Sequence, residues 1–332
     1  MDQQIRDRYS PTILQEAMRR YGISNDQIRP LDAFESFIYE FERAEKAYIL
    51  RISHSLRRSQ TLIQGEVDWI NYLAERGVRV ARAVCSEVGQ LVEAIADGQG
   101  GYFLVTAFVK AQGQPPWELW TPNLYETYGQ LLGRMHSLAQ SYQPTQVAWR
   151  RPEWDDNVFE FVERYLPASE AVAKAKYRAL CDYLNTLPKD VSSYGLIHQD
   201  AHGSNFLVDE SGAITLFDFD ECAYSWFIND IAIALFYIAM DAPEAPAFTG
   251  EFLTHFFRGY RQQNRLDPSW LKELPFFLKQ REIEMYAVIH RDFDVNKIDD
   301  EWCEQFMHER KYKIEHDVPY IDFEFESLSA HL

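Results

Sequence analysis

Apolar and polar positions first take a helical spacing in YSPTILQEAMRRYGIS (residues 9–24). Ser10 is a candidate N-cap there, Pro11 suits the first helical position and Gly22 suits the C-terminal end. The spacing then shortens. IRPLDAF (28–34), FIYEFERA (37–44) and KAYILRIS (46–53) read as three strands, with a polar turn around Glu45–Lys46. From Ser59 to Arg76 the pattern is helical again and stops at Gly77. QLVEAIAD (90–97) and YFLVTAFV (102–109) form a hairpin around Gly98, Gly100 and Gly101. The first third of the chain is therefore strand-rich, with one helix between its third and fourth strands.

After KAQGQPP (110–116) helical spacing dominates. In NLYETYGQLLGRMHSLAQSY (123–142), Leu124, Tyr128, Leu131, Leu132 and Met135 share one face. Helices are also predicted over 156–166, 170–187, 231–240, 251–263, 269–291 and 301–316. One interruption stands out: NFLV (205–208) and AITLFDF (213–219) are short apolar strands joined by the turn DESG (209–212). The pattern predicts an α+β protein of two lobes. A small antiparallel-sheet lobe spans 1–108, and a larger, mainly helical lobe spans 109–332. A cleft between such lobes is a common place for a ligand.

Length agrees, since 332 residues exceed what most single cores support. A net charge of −18 argues against a nucleic-acid binder, although one small phosphate site needs only local positive groups. Cys85, Cys181, Cys222 and Cys303 are scattered, so neither a disulfide scaffold nor a zinc knuckle is suggested. The opening MDQQIRDRYS has no apolar signal region, and no apolar run reaches membrane-spanning length. The expectation is a cytoplasmic protein with no membrane or nucleic-acid partner; the oligomeric state is left open.

The chemistry concentrates in IHQDAHGSNFLVDESGAITLFDFDE (197–221). Hairpin pairing brings Asn205, where the first strand begins, to the same end as Asp218, where the second finishes. An amide oxygen and a carboxylate suit a hard cation such as Mg²⁺, with phosphates and water completing the shell. Asp200, on the preceding loop, could orient a substrate hydroxyl and accept its proton. Any one of these residues alone would read as a turn or cap; the ordered series is what points to chemistry. His198 and His202 stand four apart as zinc ligands can, but Gln-Asp-Ala between them and Gly-Ser-Asn after them argue for a loop. DGQGGY (97–102) reads as a hairpin turn, because no helix with Lys-Ser/Thr follows. The aromatic segments 252–260 and 275–286 read as core, with a cage for a quaternary ammonium as the other reading.

HQDAHGSN followed by LFDFD resembles the aminoglycoside phosphotransferase and choline kinase superfamily, whose fold is similar to that of protein kinases. The resemblance implies an ATP- and Mg²⁺-dependent phosphotransferase acting on a hydroxyl of a small metabolite or cationic compound. It implies Asp200 as base, Asn205 and Asp218 as Mg²⁺ ligands, and His198 and His202 as loop histidines. Asp230 would brace the loop, and Asp220, where protein kinases have the glycine of D-F-G, would support the metal or a neighbouring loop. LLGRMHSLA and YFLVTAFVKAQG resemble the helix that opens the second lobe and the strand leading into the hinge. Backbone groups near Ala107 and Val109 would then meet adenine.

Two departures bear on the nucleotide. The third strand carries Arg51 where the family has Lys, with Glu66 on the next helix as its expected partner. LDAFESFIYEF replaces the glycine-rich loop with no Gly, leaving Ser36 and nearby backbone to grip ATP. REIEMYAVIHRDFD (281–294) is expected to line the acceptor pocket, and the acidic tail from Asp299 onward to form a solvated helix and terminal segment. Two alternatives stand beside the small-molecule kinase: a bacterial stress-response Ser/Thr protein kinase, and a non-catalytic, spore-coat-like pseudokinase.

Overall fold

The computed structural model describes the chain except residues 34, 157 and 241–244, and leaves the side chains of 158, 159 and 245 aside. In chain order the elements are α1 (Gln3–Arg8), α2 (Pro11–Tyr21), β1 (Ile28–Leu31), β2 (Phe37–Arg43), β3 (Lys46–His54), α3 (Gln60–Glu75), β4 (Ala83–Val84), β5 (Glu93–Ala96) and β6 (Tyr102–Val109). They continue with α4 (Pro122–Ala139), α5 (Val158–Tyr165), α6 (Ala171–Leu184), β7 (Tyr194–Ile197), β8 (Phe206–Val208), β9 (Ile214–Leu216) and β10 (Ala223–Trp226). Helices α7 (Phe227–Met240), α8 (Ala245–Tyr260), α9 (Leu274–Asp292), α10 (Glu301–Met307) and α11 (Arg310–Glu315) complete the chain. None of the described helices is long and apolar enough to cross a membrane.

Two compact units emerge, and neither is one continuous stretch of chain. The first comprises Met1–Gln114, Tyr142–Arg151 and Phe206–Asp220; the second comprises Pro115–Ser141, Pro152–Asn205 and Glu221–Leu332. A single cut at 108/109, as the pattern suggests, misses this interleaving. The DESG hairpin joins the first unit because Val208 exchanges backbone hydrogen bonds with Gln114 and Leu216 bridges to Val80.

In the first unit the antiparallel order is β1-β2-β3-β6-β4, with β5 also pairing β6. Strand alternation sends Leu50, Ile52, Phe103, Val105 and Ala107 to one face, where Ile13, Ala17, Met18 and Tyr21 of α2 cover them. The Tyr21 hydroxyl donates to Val105 O at 3.1 Å. Arg51 and Thr106, register partners on β3 and β6, point the other way. Helix α2 begins at Pro11 and ends on left-handed Gly22 as expected, but Ser10 Oγ bonds Thr12 Oγ1 instead of capping. The predicted strand 28–34 stops at Leu31, and its final residue, Phe34, lies outside the described residues.

In the second unit α4 and α8 cross with backbones almost touching: a Cβ at Gly129 would stand 1.9 Å from Phe256 O, and one at Gly259 1.9 Å from Glu126 O. The apolar face predicted for 123–142 is buried as expected. Two predicted helices are broken. Pro275 lacks an amide hydrogen, so residues 268–273 form a separate 3₁₀ segment before α9. The tail splits at Glu309, which takes the left-handed conformation, and it is not a solvated helix. Cys303, Phe306 and Ile314 are buried, and Arg310 pairs with buried Glu282 at 2.6 Å.

Candidate functional site

In the second unit, β7 pairs antiparallel with β10 and delivers His198 into the loop. The chain then turns sharply, with Gln199 at φ +69°, a left-handed conformation that non-glycine residues adopt only when the surroundings enforce it. The enforcing group is Asp230. Fully buried in the first turn of α7, it accepts hydrogen bonds from His198 N at 3.0 Å and Gln199 N at 2.8 Å. His136 Nε2, 3.1 Å away, donates to the same carboxylate, while His136 Nδ1 accepts from the Tyr260 hydroxyl at 2.9 Å. Asn264 Nδ2 donates in turn to Tyr260, and the His136 ring lies parallel on Phe227 at 4.6 Å. Asp230 thus stands where a loop brace was expected; His136 and Tyr260 were not foreseen, although His136 sits in the quoted LLGRMHSLA.

Asp200 follows on this braced turn. Asn205 Nδ2 donates to its carbonyl at 2.8 Å and to its Oδ2 at 2.9 Å. His202 Nδ1 accepts from Ser204 N, which places the ring proton on Nε2, 3.4 Å from Asp200 Oδ2. His198 Nδ1 likewise accepts from Asp200 N at 3.2 Å. The two histidines therefore orient the loop, and neither their bonds nor any cluster of three or more His, Cys, Asp or Glu among the described residues forms a zinc site. Arg281 of α9 pairs with Asp200 Oδ1 and donates to the Tyr237 hydroxyl at 2.6 Å. Burial alone would raise the Asp200 pKa, but Arg281, with His202 and His198, holds the carboxyl well below the usual carboxylate range. Arg281 is the main residue missed by name. It opens the 281–294 segment expected at the acceptor pocket, but nothing local marks it among the arginines of that helix.

Beside this loop lies a cavity of about 500 Å³, lined among others by Trp117, Trp120, Tyr128, His202, Tyr237 and Trp302. Gly203 lets the Trp117 ring approach, since a Cβ there would stand 2.7 Å from it. Tyr237 lies 4.2 Å from the His202 ring and is covered on another side by the Arg281 guanidinium at 5.2 Å. Of segment 281–294, Met285 is the residue on the wall. In segment 252–260, Phe252, Phe256, Phe257 and Tyr260 are core; in 275–286, Phe277, Leu278 and Ile283 are buried and Phe276 is exposed. The aromatic wall comes from elsewhere, including Trp302 of the tail.

The first unit holds the remaining candidates. Arg51 and Glu66 form a buried bidentate pair at 2.8 and 2.6 Å, and the guanidinium lies 5.0 Å from the Phe108 ring. Burial opposes the charge on Arg51, but Glu66, Asp220 and Asp218 outweigh it and raise the pKa. Ser36 is turned inward, its hydroxyl 2.9 Å from Ser53 Oγ, so the side chain expected to help grip ATP is engaged inside the unit. Ala107 lies inside the sheet between Leu50 and Val84, and the Val109 amide is donated to Arg82 O. Asp218 ends the hairpin at φ +61°. Asp220 Oδ2 accepts from Arg57 Nη1 at 2.6 Å and Arg58 Nε at 3.3 Å, and Arg151 donates to its carbonyl.

The oxygen donors in each unit are of the type that a hard cation takes. Asn205 turns its amide nitrogen to Asp200, which leaves Oδ1 as the available ligand atom. Asp218 offers a carboxylate on the hairpin end, and Asp220 Oδ1, two residues on, is buried with no hydrogen-bond partner. A few oxygen ligands without a full protein cage is the Mg²⁺ pattern, phosphates and water supplying the rest.

Comparison with known proteins places this geometry. A sequence model of the family described as "Phosphotransferase enzyme family" matches residues 27–274. Amicoumacin kinase of Bacillus subtilis (strain 168) is 40% identical over 321 residues, 95% of each chain. A solved amicoumacin kinase in complex with AMP-PNP, Ca²⁺ and Ami superposes with a TM-score of 0.93 at 35% identity, covering 99% of this chain and 100% of that one. A microcompartment-associated aminopropanol kinase shares the fold, with a TM-score of 0.73 at 24% identity over 92% of this chain and 95% of that one.

Proposed function

Because the chain belongs to the phosphotransferase enzyme family, as a kinase that transfers a phosphoryl group from ATP to a hydroxyl of a small molecule, we propose that its acceptor is amicoumacin or a close analogue. The observation that carries this reading is the aromatic cavity placed directly against the Asp200 loop. Its volume of about 500 Å³ suits a drug-sized molecule. Trp117, Trp120, Tyr128, Tyr237 and Trp302 supply aromatic faces to its wall, and no carboxylate lines it among the described residues, so an acceptor binds by stacking, and an amine on it is met by π-faces. A concave aromatic cavity of this volume favours a small acceptor over a protein loop.

Asp200 is assigned as the base. An acceptor hydroxyl seated at the loop end of the cavity donates to the Asp200 carboxylate, which orients the oxygen and takes its proton as the phosphoryl group leaves ATP. Arg281 and Asn205 hold the carboxylate so that little reorganisation is needed at that moment. Asn205 and Asp218 would hold the Mg²⁺, which when bound neutralises charge on the triphosphate. Arg51, fixed by Glu66, supplies positive charge for the phosphates.

The test is a kinase assay with ATP·Mg²⁺ and a panel of amicoumacin, aminoglycosides, amino alcohols and a generic protein substrate. Wild type should phosphorylate amicoumacin preferentially, and Asp200→Asn should lower kcat by about 10²–10⁴-fold. A wild type that hydrolyses or transfers nothing, or an Asp200→Asn variant with unchanged kcat, would remove the assignment.

A further inference from the structure

The first unit presents an unsolved problem in phosphate binding. The loop between β1 and β2 has no glycine, so it cannot fold its amides tightly around a triphosphate, and Ser36 faces inward. Yet the same unit gathers Arg51, Arg57, Arg58 and Arg151 around one carboxylate, Asp220. Arg57 and Arg58 meet its Oδ2 at 2.6 and 3.3 Å, and Arg151 donates to its carbonyl.

Arg57 is the member of this set that bridges two carboxylates on different segments. Its Nε donates to Glu35 Oε2 at 2.6 Å, and its Nη1 pairs with Asp220 Oδ2 at 2.6 Å. Glu35 sits on the glycine-free loop, and Asp220 lies two residues past the proposed metal ligand Asp218. The position of Arg57 is itself fixed, because its amide and that of Arg58 both donate to His54 O at the end of β3. A guanidinium is a rigid planar fork, so it can hold two carboxylates in one fixed relation. Lysine, a flexible point charge, cannot.

We propose that Arg57 is a positioning residue for the triphosphate: by bridging Glu35 to Asp220 it holds the glycine-free loop in a fixed relation to the hairpin end that carries Asp218. This also explains Asp220. A glycine at that position would leave the fork without its second anchor, so the acid and the missing glycine loop are two halves of one arrangement. The inference rests on the phosphotransferase reading and adds a nucleotide-positioning element to it.

Titration calorimetry with ATP, ADP and AMP, without acceptor, is the direct test, on wild type, Arg57→Gln, Arg57→Lys and Glu35→Gln. Steady-state kinetics on the same proteins separate binding from chemistry. Arg57→Gln should weaken ATP and ADP by about tenfold or more, leave AMP within about twofold, and raise the KM for ATP while kcat changes less. Arg57→Lys should recover only part of the affinity, and Glu35→Gln should weaken ATP less than Arg57→Gln. ATP affinity unchanged in a folded Arg57→Gln, or AMP and ATP weakened equally, would overturn the assignment, the second result marking Arg57 as merely structural. Full rescue by Arg57→Lys would overturn the fork argument. A wild type that binds no ATP would instead remove the phosphotransferase reading itself.

Discussion

Asp230→Asn tests the loop brace with the smallest change in shape. Asp230 accepts three hydrogen bonds in a fully buried site, from His198 N and His136 Nε2 on Oδ2 and from Gln199 N on Oδ1. An asparagine oxygen can replace one of these two oxygens only. If it takes the place of Oδ2, the amide NH₂ faces Gln199 N–H at 2.8 Å, donor against donor. The reverse flip leaves both His198 N and His136 Nε2 facing donors. The variant also loses the charge that strengthens whichever bonds remain. Bonds to charged groups contribute about 1.5–3 kcal/mol each, and an unsatisfied buried donor costs about 1–3 kcal/mol. The expected loss is therefore roughly 2–4 kcal/mol. For a unit of this size that is a Tm fall of roughly 5–15 °C, measured by calorimetry with urea denaturation as a check. Activity should suffer in parallel. Gln199, at φ +69°, is held left-handed by the bond it gives to Asp230, so Asp200 loses its fixed placement and kcat should drop about 10–100-fold. An Asp230→Asn protein that melts within about 2 °C of wild type and keeps its kcat would refute the reasoning.

Three further outcomes are expected. Glu66→Ala leaves Arg51 buried without its bidentate partner and should cost about 3–5 kcal/mol in urea denaturation, together with a higher KM for ATP. Gly259→Ala puts a methyl 1.9 Å from Glu126 O, so α4 and α8 must separate; a Tm within about 1 °C of wild type would show that the close approach is not needed. Acid should weaken the first unit through Asp97, whose carboxylate accepts from Gln99 N, Gly101 N and Arg8, with His54 Nε2 also within 3.1 Å. Burial raises the Asp97 pKa, but these partners lower it further, so the folded value lies below the unfolded one, near 3.9. Its stabilisation is then full above that unfolded value and disappears as pH falls through the folded one. The urea midpoint of wild type should drop between pH 5 and pH 3 by more than that of Asp97→Asn, and equal drops would exclude Asp97 as the cause.

Much of this molecule was legible because its signals are local. YFLVTAFV forms β6 over the residues read as a strand, and Glu66 pairs with Arg51 as the resemblance implies. The order from Asp200 through Asn205 to Asp218 needed only a loop and a hairpin to be read. What escaped was decided by contacts remote in sequence. Strands β7 and β10 are four residues each and pair across 25 intervening residues, which no short window reveals. His136 reads as one more residue on an amphipathic helix until Asp230 arrives 94 positions later. Trp302 reads as part of an acidic surface tail and becomes cavity wall because the chain breaks at Glu309 and Arg310 turns inward to Glu282.

The residues expected at the nucleotide each have a partner within the first unit. Ser36, Ala107 and Val109 were assigned by position in a familiar order of elements, and position alone does not say which way a group faces. Ser36 has a hydroxyl partner in Ser53, Ala107 has a strand on either side, and the Val109 amide has Arg82 O. A buried polar group takes the nearest good partner, and here each had one within its own unit. Charge behaves otherwise. Asp220 is too costly to bury alone, and the guanidinium groups of Arg57 and Arg58 meet its carboxylate. Two residues held left-handed without being glycine, Gln199 and Asp218, flank the chemistry in the same way. The strain at each, on the order of 1 kcal/mol or more, persists because the surroundings hold it. For Gln199 that surrounding group is Asp230, so the substitution that removes the brace should cost stability and activity together.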